Sequence, residues 1–142
     1  MSLRHASAFA VCLPAMAVLH ECFHMLFLKA TGGEGYIAWT SMCVVATSNV
    51  TPLQSLVVAL SGGLSTSAVF LALELSKLCG NPACKFWLRL CWVHQLIYGL
   101  AEGAWAAGLI GSSLLEAALY ASFLTGAITG RSFLHEAQLA EG

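Results

Sequence analysis

Four apolar stretches, each close to the ~20 residues needed to cross a ~30 Å hydrocarbon core, leave this chain few ways to fold. They cover residues 6–30, 53–76, 86–110 and 113–128 of 142. Apolar residues make up 58% of the chain and charged residues 9%, too little polar surface to keep a globule dissolved. The expected architecture is an all-α integral membrane protein: a single domain, residues 1–142, with four transmembrane helices in the lipid bilayer. A polar tail, residues 131–142, follows them. The net charge of -1 offers nothing to a nucleic acid, so no such partner is expected. The first stretch is too long for a cleavable signal and carries a His/Glu cluster, so no removable leader is expected.

Between the first two stretches, Gly32, Gly33 and Gly35 precede Tyr36, Ile37, Trp39, Val44 and Val45. Glycines followed by aromatic and β-branched residues predict extended structure, a small β-hairpin at the membrane interface. Pro52 is placed to open the next helix. With four spans, one side of the membrane carries Arg4, Lys77, Lys85, Arg89 and Arg131, and the other only Lys29. The positive-inside rule then puts both termini in the cytoplasm of a multi-pass protein. The cysteines are mostly scattered through apolar runs, where they act as small hydrophobes. Cys79 and Cys84 alone are spaced as a candidate pair, for a disulfide or half a metal site.

The chemistry lies inside the first stretch. His20-Glu21-Cys22-Phe23-His24 is a His-Glu-x-x-His motif, which on a helix puts both imidazoles on one face, a turn apart. Both can point a ring nitrogen at one divalent cation, with Glu21 beside the place of a water. Ionisable groups within a bilayer are expensive, so each calls for a reason. Counted from the same side at ~1.5 Å per residue, Glu102 in the third stretch is level with both histidines, whereas His94 lies roughly 12 Å lower. The chain has no Asp, so a carboxylate ligand must be Glu. Glu102 is the expected third ligand and His94 the alternative. In the second stretch, Gly62, Gly63 and Thr66 also fall near mid-depth, where small residues either pack helices or face a substrate. Tyr98, one turn from both His94 and Glu102, is a candidate supporting partner or an ordinary core tyrosine. Trp87, Trp92 and Trp105 are expected to pack or to sit at the interface, and His5 and His135 to be solvated.

With these features in order, the chain resembles the site-2 protease family of intramembrane zinc metalloproteases. His20 to His24 is similar to the family's HExxH. Ser61-Gly62-Gly63-Leu64-Ser65-Thr66 is similar to its Gly-Pro-x-x-Asn stretch, with Gly63 for Pro and Thr66 for Asn. Ala101-Glu102-Gly103 is similar to its Asp-Gly, with Glu for Asp. The resemblance implies one Zn2+ held by His20, His24 and Glu102, with Glu21 as catalytic general base. It also implies a transmembrane protein as substrate, unwound to present its peptide bond, with Gly62, Gly63 and Thr66 facing it. The segment from Tyr36 to Thr47 would hold that strand by β-addition.

Two other classes stay open. One is a non-catalytic accessory subunit of a larger membrane complex, its metal site structural or vestigial and its partners neighbouring membrane subunits. The other is a haem or redox-metal protein that pairs His94 with a histidine of the first stretch, which leaves Glu21 and Glu102 without a role.

Overall fold

The computed structural model describes residues 3–76 and 80–140, with the side chains of residues 3, 4 and 133–140 left aside. Lys77 and Cys79, with the side chains of Arg4 and His135, therefore lie outside the described residues. The order of elements is α1 (Leu3–Ala30), β1 (Gly35–Ala38), β2 (Cys43–Ala46), α2 (Pro52–Leu75), α3 (Pro82–Ala106) and α4 (Ser112–Ala140). The chain is thus mostly helical, with one small antiparallel sheet between the first two helices.

Local chemistry explains most of these boundaries. Helix α1 ends where Gly32 takes φ +82°, a left-handed conformation that glycine adopts without a Cβ clash. Thr51 caps α2 through a capping box with Gln54, and Pro52 occupies the first turn, where its missing N–H costs nothing. The Gln54 amide also donates to the carbonyl of Thr31 (2.6 Å), tying the start of α2 to the end of α1. Asn81 caps α3 by accepting from the Ala83 N–H, with Pro82 in the first turn, so that helix begins ahead of residue 86, where apolar content alone would start it. Helix α4 runs on through the expected polar tail to Ala140, because residues 131–140 contain no glycine or proline to stop it. The strands pair from Gly35↔Ala46 to Ala38↔Cys43, and the hairpin lies against α1.

Among the described residues, two helices are long and apolar enough to cross a membrane, His5–Ala30 and Pro52–Leu75. Helices α3 and α4 have the length but fall short in apolarity, α3 because Lys85, Arg89, His94, Gln95 and Glu102 interrupt it. Several of these groups face protein. Arg89 forms an ion pair with Glu74 of α2, and Trp92 Nε1 donates to the other oxygen of that carboxylate. Arg89 is thus a packing partner within the helices, and its charge is already answered.

Helix α3 is the centre of the arrangement, packed against α1, α2 and α4. Its approach to α2 is closest where Gly63 meets Gly99; a Cβ on either would collide with the other's backbone. Toward the α2–α3 turn, Cys12, Met16, Phe70, Leu88 and Cys91 form an apolar core. Cys84 is disulfide-bonded, and its candidate partner Cys79 is one of the residues left aside. The outer surfaces of the helices expose large apolar side chains, among them Val11, Leu75, Tyr120 and Leu124.

Candidate metal centre

The first helix places His20 and His24 on the face turned toward α2 and α3, where both are buried. Each ring is held through Nδ1. His24 Nδ1 donates to the backbone carbonyl of Val58 in α2 (2.6 Å). His20 Nδ1 donates to the amide oxygen of Gln95 in α3 (2.6 Å). Carbonyl oxygens only accept, so these bonds fix the tautomer and leave a lone pair on each Nε2. Gly62 lies directly against the His24 ring, and a Cβ there would displace it.

The two Nε2 atoms are 2.8 Å apart. Glu102 Oε2 lies 3.2 Å from His20 Nε2 and 3.7 Å from His24 Nε2, and it is buried with no hydrogen-bond partner. Three acceptors thus converge on one point, with no donor between them when both imidazoles are neutral. Buried lone pairs in such contact repel unless a cation or proton lies among them. This donor set, two imidazole nitrogens and one carboxylate oxygen, is one that zinc commonly takes, and it leaves a further position open. The residues fit a divalent metal ion.

Glu21 is the second carboxylate. Its oxygen lies with the histidine nitrogens in a group spanning no more than 4.8 Å, and Oε2 is buried without a partner. Glu21 could itself be counted a ligand, but the shorter separations of Glu102 make Glu102 the better third donor. Glu21 then stands beside this point, on the wall of the same cavity.

The cavity encloses about 690 Å³, within the usual size of small-molecule sites. Helix α1 contributes Met16, His20, Glu21 and His24 to its wall, and α3 contributes His94, Tyr98 and Glu102. Strand β2 closes one side with Cys43 and Val44, and α4 supplies Leu115, Leu119 and Phe123.

The structure brings His20, His24, Glu21 and Glu102 together and keeps His94 apart. His94 Nδ1 bonds Ser122 Oγ of α4 (2.7 Å), and its ring stacks on Phe123 with centroids 3.7 Å apart. Tyr98 also stacks against His94, with centroids 5.8 Å apart. Gly62, Gly63 and Thr66 are all buried, and none of them lines the cavity. The first two serve close helix packing, and the Thr66 hydroxyl is enclosed without a hydrogen-bond partner. Two contributors were absent from the sequence reading. The Val58 carbonyl gives no sequence signal. Gln95 does: it stands seven residues before Glu102, two helical turns away on the same face.

Compared with known proteins, the chain matches no family model, no curated protein and no solved structure.

Proposed function

We propose that this protein is an intramembrane zinc metallohydrolase of site-2 protease type, cleaving peptide bonds of transmembrane substrates. The observation that carries the reading is the convergence of His20 Nε2, His24 Nε2 and Glu102 Oε2 beside the unpartnered Oε2 of Glu21. In this reading all four helices cross the bilayer, the exposed apolar side chains meet lipid, and both termini are cytoplasmic. Arg4, Lys77, Lys85 and Arg131 carry the charge bias, because Arg89 is paired with Glu74.

His20, His24 and Glu102 would hold the ion, oriented by Val58 and Gln95. A bound zinc supplies Lewis acidity toward a substrate carbonyl and toward water. Glu21 takes a proton from the attacking water and delivers it to the leaving amine nitrogen. The apolar walls exclude bulk water and leave room for an unwound stretch of substrate backbone, whose amide groups need partners in lipid. Strand β2 borders the cavity and offers such partners along its edge.

The test is metal content by elemental analysis of the purified protein beside Glu102→Ala and His94→Ala. Near-stoichiometric zinc, lost with Glu102 and kept without His94, supports the three-ligand site. Zinc that survives loss of Glu102 but not of His94 overturns that assignment. No metal in any form favours a second reading, an accessory subunit of a larger membrane complex. The burial of Thr66 away from the cavity is the observation on that side, since it leaves no hydroxyl there to hold a substrate.

A further inference from the structure

Helix α4 stands outside the motifs that define the metal centre, yet it forms a wall of the same cavity. It packs on α3, and among the described residues its backbone stays more than 8 Å from that of α1 and α2, Cα to Cα. The cavity lies between α1 and α4, with α3 as its floor and α2 and β2 at its end. Its walls differ in chemistry. The α1 side and the floor carry His20, Glu21 and Glu102, whereas α4 presents Leu115, Leu119 and Phe123, half-buried and spaced one turn apart on a single stripe.

The register of this wall against the site follows from one bond. Ser122 Oγ donates to the Leu119 carbonyl (2.8 Å) and accepts from His94 Nδ1, so Ser122 and His94 are level. Helices α3 and α4 run antiparallel through the turn at residues 107–111. Two turns along α3 from His94 reach Glu102, and the same rise back along α4 reaches residues 114 and 115. Leu115 therefore stands across from the Glu102 ligand and Leu119 across from Tyr98. Phe123, stacked on His94, closes the far end.

We propose that Leu115, Leu119 and Phe123 form the specificity wall of this site, selecting substrates with a large apolar side chain beside the bond offered to Glu21. The inference rests on the metallohydrolase reading and deepens it. Polar or charged side chains find no partner on α4, and a methyl group leaves most of the space between the site and Phe123 unfilled.

The experiment uses the full-length protein in lipid nanodiscs, loaded with zinc and titrated calorimetrically with succinyl hydroxamates. The hydroxamates differ in one side chain: methyl, isobutyl or phenylpropyl. The expected order is phenylpropyl over isobutyl over methyl, with about ten-fold or more between the first and last. Leu119→Trp should weaken the phenylpropyl compound about ten-fold and leave the methyl compound unchanged. Leu119→Ala should shift the ranking further toward phenylpropyl, which keeps the test alive if the tryptophan variant fails to fold. Leu124→Trp, on the exposed face of α4, should change neither. Zinc-dependent binding that ignores side-chain size, or that no Leu119 variant re-ranks, overturns the wall and leaves the metal centre standing. If no form of the protein binds any hydroxamate, both fall.

Discussion

Two buried clusters in this molecule each place a carboxylate between helices, and their hydrogen-bonding balance is opposite. Glu74 receives the Arg89 guanidinium on one oxygen and the Trp92 indole N–H on the other. Each carboxylate oxygen has its own donor, and the cluster joins α2 to α3. At the other site, His20, His24 and Glu102 turn three acceptors toward one point, and Glu21 adds a fourth nearby. Burial of charge is common to both, so burial alone does not mark function. What separates them is whether the chain supplies its own donors. At Glu74 it does, and the carboxylate holds helices together; at the point between His20, His24 and Glu102 it does not, and in the reading proposed above that point takes a metal ion.

The largest effect that bears on this contrast is expected at Glu21. Replacing it with Gln keeps the shape and removes the base, so cleavage of a reporter carrying a transmembrane segment should fall by about 10²–10⁴-fold. Zinc content should stay at the wild-type level, because His20, His24 and Glu102 remain. Cleavage that persists in Glu21→Gln would show that this carboxylate is not the base. The complementary change is Arg89→Met, which strips Glu74 of its charged partner. Stability should drop by about 3 kcal/mol, the low end for breaking a buried pair, because the Trp92 bond survives. Unfolding in detergent measures that loss, and zinc stoichiometry should not move. A variant that loses zinc while remaining folded would join two clusters that the contrast keeps apart.

How much of this was legible in the sequence depended on the signal each residue carries. Two histidines a turn apart announce a shared face through spacing alone, and the level of Glu102 follows from counting residues along two antiparallel helices. The hairpin followed from the glycines and β-branched residues of residues 32–45, and the structure has it at Gly35–Ala38 and Cys43–Ala46. The start of α3 was legible too, in Asn81-Pro82, but apolar content set the boundary further along. The end of α4 was missed because polarity was taken as a stop, whereas a helix backbone stops for glycine, proline or a cap. Apolarity also promised four spans, and it supports two. Polar groups such as Arg89 and Gln95 are turned toward protein by helix rotation, which residue order does not encode. The same rotation brings the Val58 carbonyl to His24 and α4 to the cavity.

Gln95 and Ser122 sharpen the contrast at smaller scale, because each holds a histidine by Nδ1 and only one of those histidines faces the acceptor cluster. Gln95→Leu removes the group that orients His20, and zinc affinity should fall by about 10–100-fold in competition with a chelator, as for other outer partners of metal-binding histidines. Ser122→Ala makes the equivalent cut at His94. His94 is buried and stacked against Phe123 and Tyr98, so the loss is one buried hydrogen bond, about 1 kcal/mol of stability. Zinc affinity in Ser122→Ala should match wild type within error. The pair of variants therefore separates a histidine held for a metal from one held for packing, with the same bond broken in each. A fall in zinc affinity for Ser122→Ala as large as that for Gln95→Leu would draw His94 into the metal centre and move the border between structural and functional polar groups onto α4.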